Sequence, residues 1–147
     1  MPTIAAMNNN LGVVGVTPGT VQLYIVRVFG NDGLWAYSSD LIDAANRCAS
    51  AGANIINMSL GSNSSSTTEQ AKFDELNAQG ILVIAAAGND GDTSFSYPAS
   101  YSSVISVAAI NSNKVVASFS QRNNQVDIAA PGVGIRSTNI TTSGYVS

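Results

Sequence analysis

The sequence predicts an α/β protein with three layers, in which helices cover both faces of a mostly parallel sheet. Short apolar runs alternate with helical patterns along residues 21–110. The runs are apolar at successive positions, which is typical of parallel strands buried on both faces. Loops rich in Gly, Asn and Ser separate them. The 147 residues fit a single domain, 1–147, that can bury its own core.

The first predicted strand is Val21–Phe29, because "VQLYIVRVF" is rich in β-branched and aromatic residues and ends at the turn sequence "GNDG". A helix of about three turns follows in "SSDLIDAANRCASAG". Ser38 or Ser39 can cap this helix, and Gly52 can end it. The next apolar run predicts a buried strand at Asn54–Leu60.

The second half of the chain continues the pattern. Thr67, followed three residues later by a glutamine, resembles a capping box and predicts an amphipathic helix that ends at Gly80. A third buried strand is predicted at Ile81–Ala87. Two further strands are predicted at Val104–Ile110 and Val126–Gly132.

Ligands of parallel α/β sheets bind beyond the carboxyl ends of the strands, so the loops after Phe29, Leu60 and Ala87 are the candidate site. In the last of these loops, Asn89 follows an apolar run and Gly88. From the residues alone, Asn89 is either a turn asparagine that tolerates a left-handed conformation or an amide that hydrogen-bonds an anion.

Composition excludes several classes of function. The net charge is −3 and the six Lys and Arg residues are scattered, so no basic stripe predicts a nucleic-acid partner. No apolar run approaches the roughly 18–20 residues of a membrane span. No glycine-rich turn joins a strand to a helix, which argues against a nucleotide site. The chain has no histidine, the usual general base, and its single cysteine, Cys48, fits a buried apolar position.

Four motifs occur in the order and spacing of subtilisin-like serine proteases, the subtilases: "NIINMSLG", "ILVIAAAGNDG", "SYPASYSSVISVAAI" and "VDIAAPGVGIRST". The resemblance covers essentially the whole chain. It implies a partial subtilisin-like fold and a secreted, extracellular serine endopeptidase that hydrolyses peptide bonds. The family's catalytic aspartate and histidine would precede Thr3, and its serine would follow Tyr145. We therefore expect a central segment of the catalytic domain that is inactive alone.

The resemblance also assigns roles in substrate binding. Asn89 matches the asparagine of the oxyanion hole. Two extended segments would hold the substrate backbone as an added strand, small residues would wall the primary pocket, and a serine would lie near its floor. Tyr37 matches the rim of a more distant pocket, although an aromatic residue at a helix start is an equal alternative. The remaining assigned residues are Gly33, Leu34 and Trp35 in one segment, Ser59, Leu60 and Gly61 in the other, Ala86, Ala87 and Gly88 in the wall, and Ser96 at the floor.

The segment "MNNNLGV" resembles the subtilase high-affinity calcium loop. Calcium prefers several oxygen ligands, and the family's other ligands lie upstream. We therefore expect calcium in the complete enzyme and weak or no binding by this chain, and a plain Asn-rich loop is an equal alternative. The ligands implied are the Asn9 side chain and the carbonyls of Met7, Leu11 and Val13, with the carbonyls of Ala99, Tyr101 and Val104 as a weaker cation site.

Two function classes remain open. The first is a segment of a secreted endopeptidase whose partners are peptide or protein substrates. The second is a non-catalytic module that binds peptides or associates with itself. Further partners in either case are the missing protease segments or another copy of this chain, and an open apolar flank would favour such association.

Overall fold

The computed structural model describes residues 2–17, 19, 21–30, 38–138 and 145–146. In these residues, the main sheet has four parallel strands in the order β1-β2-β3-β4, and a short antiparallel pair lies near the end of the chain. The elements are α1 Pro2–Ala5, α2 Ser38–Ser50, β1 Ile55–Met58, α3 Thr67–Ala78, β2 Leu82–Ala86, β3 Val104–Ile110, β4 Ile128–Pro131, β5 Ser137–Thr138 and β6 Tyr145–Val146. The predicted parallel α/β organisation is confirmed, with β3 at its predicted bounds and the other three sheet strands shorter than predicted.

The ends of the helices follow from local hydrogen bonds. Gly52 comes just after α2 with φ +80°, and its N–H donates to the Ala49 carbonyl at 2.9 Å, as in a glycine C-cap. The predicted capping box at Thr67 is wrong by one residue. Ser66 is the N-cap of α3, and its hydroxyl accepts from the Glu69 N–H at 3.4 Å. Ser66 is favoured because the Tyr101 hydroxyl accepts from its N–H at 2.8 Å.

Both long helices pack on one face of the sheet. Their buried residues form one core with the inward-facing residues of β1, β2 and β3. The other face of β1 and β2 is open, with Ile55 59% and Leu82 41% exposed. The three-layer class is thus represented in the described residues by the sheet and one helical layer. The core residues of the helices and strands are Leu41, Ala45, Phe73, Leu76, Ile56, Met58, Val83, Ala85 and Val104.

The strand predicted at Val21–Phe29 is wrong. Residues 21–28 carry no strand or helix hydrogen-bond pattern. In the described residues, β1 forms the outer edge of the sheet and pairs only with β2. High β-propensity produces a strand only when a neighbouring strand satisfies the backbone, and segment 21–28 has no such neighbour among the described residues. Its apolar side chains remain accessible, for example Ile25 at 69%.

Candidate functional site

A cavity of about 400 Å³ lies where β1 and β2 end. Because parallel strands point the same way, the segments that follow them meet at one edge of the sheet. Seven of the residues assigned from the sequence line this cavity, together with Ser62, Asn63 and Asp90, which were not assigned. The seven are Ser59, Leu60, Gly61, Ala86, Gly88, Asn89 and Ser96.

One wall of the cavity is the segment that follows β1. It is fixed by a two-way bridge in which the Ser62 N–H donates to the Tyr97 carbonyl and the Tyr97 N–H donates to the Ser62 carbonyl, both at 2.8 Å. Gly61 packs closely on Ser96, because a Cβ at Gly61 would lie 2.5 Å from the Ser96 hydroxyl oxygen. Ser96 is 5% exposed. A side chain at position 61 would therefore take up space in the cavity or displace Ser96.

The opposite wall is the end of β2 and the loop that follows it. Ala86 and Gly88 line the cavity, whereas Ala87 lies behind it, buried, with its N–H donating to the Val107 carbonyl at 3.0 Å. Gly88 has φ +117°, a conformation that side chains disfavour. Asn89 is exposed at the cavity rim. Within the described residues, no hydrogen bond engages its side-chain amide.

The loop after β2 is closed by polar contacts. The Asp92 carboxylate accepts from the Ser94 N–H at 2.8 Å and from the Ser94 hydroxyl at 2.6 Å. Both bonds lower the pKa of Asp92, and the bond from the Ser94 hydroxyl has the larger effect. Gln121, 0% exposed, backs the same loop. Nothing in the polar stretch "SFSQRNNQ" distinguishes Gln121 from its neighbours, so sequence reasoning missed it.

Four assigned residues, Gly33, Leu34, Trp35 and Tyr37, lie outside the described residues. The second substrate-binding segment and the distant pocket rim therefore remain sequence predictions. Segment 59–61 is the only one of the two predicted substrate-binding segments that falls within the described residues.

The Asn-rich loop lies next to α1. Its turn contains positive φ angles at Asn10 and Gly12, and the Asn9 side-chain oxygen accepts from the Leu11 N–H at 3.2 Å. In the described residues, no backbone N–H donates to the carbonyls of Met7, Leu11 or Val13. These oxygens suit a hard cation, but the loop supplies no carboxylate. The donor set fits part of a calcium site.

The weaker cation site is less open. Ala99, Tyr101 and Val104 are all core residues, and the Tyr101 carbonyl accepts from the Val104 N–H at 3.0 Å. The described residues contain no group of three or more His, Cys, Asp and Glu side chains that could hold a metal. None of the described helices is both long and apolar enough to span a bilayer.

The model of the subtilase family, peptidase S8, matches residues 2–147. Subtilisin BL of Lederbergia lenta is 44% identical over 136 residues, which are 92% of this chain and 50% of that protein. Alkaline elastase YaB of Bacillus sp. strain YaB is 42% identical over 145 residues, which are 99% of this chain and 38% of that protein. The chain thus spans half or less of the length of these relatives.

The fold is also similar to a solved structure. The psychrophilic subtilisin-like protease Apa1 from the Antarctic psychrotroph Pseudoalteromonas sp. AS-11 superimposes with a TM-score of 0.88 at 52% identity. The match covers 93% of this chain and 32% of Apa1. Sequence and fold agree over nearly all of the 147 residues. The chain therefore belongs to the subtilase family, peptidase S8.

Proposed function

We propose that this chain is the oxyanion-stabilising and substrate-binding segment of a secreted subtilisin-like serine endopeptidase, a hydrolase of peptide bonds. The observation that carries the proposal is the cavity at the ends of β1 and β2, with the Asn89 amide at its rim. The similarity to proteases over residues 2–147 supports the same activity.

Asn89 acts on the carbonyl oxygen of the scissile peptide. When the carbonyl carbon becomes tetrahedral, its oxygen gains negative charge, and an amide NH₂ held at that position stabilises the transition state more than the ground state. The side-chain amide of Asn89 is exposed and free of hydrogen bonds within the described residues, so it can donate to substrate. Gly88 lets the backbone turn sharply at the end of β2 and bring the amide to the rim.

The cavity takes the substrate side chain next to the scissile bond. Ala86, Gly61 and Gly88 contribute little volume, which leaves room for a large apolar group. In the described part of the chain, β1 is an edge strand that pairs only with β2. Residues Ser59 to Gly61 follow β1 directly. Their backbone can pair with an extended substrate, and Gly33 to Trp35 would pair with its other edge.

The remaining catalytic groups belong to other parts of a complete subtilase domain. The 147 residues contain no histidine, so a Ser-His-Asp triad cannot form within them. None of the chain's serines is assigned as the nucleophile. In the complete enzyme, Met7, Asn9, Leu11 and Val13 would contribute oxygens to a calcium site that stabilises the fold.

Two measurements test this function. The purified chain, incubated with a chromogenic peptide ester, is expected to show no turnover, and turnover that a serine-directed phosphonate abolishes would contradict the proposal. In a complete subtilase domain that includes these residues, Gly61→Val is expected to reduce kcat/KM for peptides with a large apolar residue before the scissile bond by about 10–200-fold. Peptides with alanine there serve as the internal control. Equal losses for both peptides would exclude the cavity as the side-chain pocket.

A second candidate function, association with other subtilase segments or with another copy of the chain, is favoured by one observation. A cavity of about 890 Å³ separates segment 21–29 from α2 and β1. Both of its sides expose apolar groups, including Tyr24 at 57% and Ile55 at 59%. The free backbone edge of β1 faces no other strand in the described residues. An added strand could pair with this edge and bury both apolar surfaces.

Light scattering tests this second function. We expect the wild-type chain to dimerise or to bind added subtilase segments, and Ile55→Lys to weaken that association by placing a charge on the exposed side of β1. Gln79→Lys, at the exposed end of α3, is the matched control for the added charge. A chain that stays monomeric and binds no added peptide would contradict the proposal.

A further inference from the structure

We propose that Gln121 is a positioning residue that holds the Asn89 loop in its working conformation. This inference rests on the proposed oxyanion role of Asn89. The Gln121 side chain is 0% exposed and makes a two-point contact with Asp90, the residue after Asn89. Its Nε2 donates to the Asp90 carboxylate at 2.9 Å, and its Oε1 accepts from the Asp90 N–H at 2.9 Å.

Gln121 also contacts the residue before Asn89. Its backbone N–H donates to the Gly88 carbonyl at 3.3 Å. A Cβ at Gly88 would lie 2.7 Å from the Cδ and Oε1 atoms of Gln121. The side-chain amide of Gln121 therefore packs directly on the Gly88 backbone. Asn89 itself is held by neither contact, so its amide stays available while both of its neighbours are fixed.

The residues around Gln121 connect the loop to the sheet. Ser120 is 1% exposed, and its hydroxyl accepts from the Ala109 N–H of β3 at 3.0 Å. On the other side, the Arg122 N–H donates to the Asp92 carbonyl at 2.9 Å, and its guanidinium donates to the Gly91 carbonyl. Gln121 thus projects from a segment that is bonded to β3, and groups supported by regular elements hold their geometry best.

The contact with Asp90 requires an amide at position 121. The side chain must donate to the Asp90 carboxylate and accept from the Asp90 N–H at the same time. A carboxylate of the same shape can accept but cannot donate, and it would face the Asp90 carboxylate at hydrogen-bond distance. Gln121→Glu therefore breaks one bond and adds repulsion with almost no change in volume. Combining it with Asp90→Asn restores both bonds with the donor and acceptor of the side-chain pair exchanged.

The catalytic test uses a complete subtilase domain that includes these residues, with active sites counted by a serine-directed phosphonate so that only folded enzyme contributes. Displacing a catalytic group by about 1 Å can cost about 10²-fold in rate. We expect Gln121→Glu to lower kcat by about 10- to 100-fold with little change in KM, because the lost interaction is made in the transition state. Gln125→Glu, the same change at an exposed glutamine nearby, is the control.

Two combinations separate positioning from a general structural role. Since Gln121 acts through Asn89, we expect Gln121→Glu to have little further effect on kcat in an Asn89→Ala background. We also expect Asp90→Asn to restore most of the activity of Gln121→Glu. A Gln121→Glu loss that persists undiminished after Asn89→Ala, or no loss at all, would overturn the inference. If Asn89→Ala alone left kcat unchanged, the proposed function would fail instead.

The contact between Gln121 and Asp90 can also be tested without catalysis, in the 147-residue chain. The Asp90 N–H donates to the Gln121 side-chain oxygen, so its hydrogen exchange is expected to accelerate in Gln121→Leu, which removes that acceptor, relative to exchange within β3. Unchanged exchange at the Asp90 N–H would overturn the inference.

Discussion

The Tyr101 hydroxyl links the turn before β3 to the start of α3, and its removal gives a stability effect that can be worked out from the structure. The hydroxyl accepts from the Ser66 N–H at 2.8 Å and donates to the Ser66 carbonyl at 3.2 Å. In Tyr101→Phe the carbonyl keeps its bond from the Gln70 N–H at 2.9 Å. The Ser66 N–H loses its partner, and the buried Glu69 carboxyl loses its contact with the hydroxyl. An unsatisfied buried donor costs about 1–3 kcal/mol, and because Ser66 is half-buried we expect about 1–2 kcal/mol.

The ring of Tyr101 remains in place, with its centroid 6.1 Å from that of Phe73 and 4.8 Å from that of Tyr97. No cavity is created, so the effect isolates the hydroxyl. Urea denaturation measures it. With an m-value of about 2 kcal/mol/M, the midpoint should fall by about 0.5–1 M at unchanged m. Tyr24→Phe is the control, because Tyr24 is 57% exposed. A Tyr101→Phe midpoint equal to that of Tyr24→Phe would refute the reasoning.

Further predictions concern Glu69, Gly88 and calcium. Burial raises the pKa of Glu69, so its contribution to the free energy of unfolding falls as pH rises from the ordinary value of 4.5 through the folded-state pKa. Glu69→Gln should remove this fall, and parallel stability curves for the two proteins in urea titrations across this pH range would contradict it. In Gly88→Ala the new methyl group meets Gln121 and the backbone has φ +117°, so the melting temperature should fall further than in Gly134→Ala, where φ is +68° but the space is open. Equal melting temperatures for the two variants would argue against close packing of Gly88 on Gln121. Calcium should leave the melting temperature of the 147-residue chain nearly unchanged, whereas a shift that saturates at micromolar calcium would show that Asn9 and its neighbours form a complete site.

Elements with strong local signals were predictable from the sequence. Val104–Ile110 is a strand at the predicted residues, because an apolar run lies between turn-forming residues and adjacent strands pair with both of its edges. The start of α3 was missed by one residue, since consecutive Ser and Thr residues are all good caps. The contact that selects Ser66 comes from Tyr101, which is 35 residues away.

Non-local contacts explain the other differences. Val21–Phe29 has the composition of a strand but no strand beside it in the described residues. The expectation that ligands bind beyond the carboxyl ends of parallel strands located the cavity. The subtilase-like motifs singled out Asn89. Gln121 lies in a polar loop, and its burial depends on Asp90, which is 31 residues away. No local pattern encodes that contact, so a single sequence cannot reveal it.

The most direct test of the central claim is the kcat of Asn89→Ala in a complete subtilase domain that includes these residues. Removal of one oxyanion donor lowers kcat by about 10²–10³-fold, a magnitude established for the oxyanion-hole asparagine of a subtilisin. We predict a loss of this size with KM nearly unchanged, and no comparable loss for Asn124→Ala, an exposed loop asparagine. A kcat equal to that of the wild type would contradict the claim that Asn89 stabilises the oxyanion.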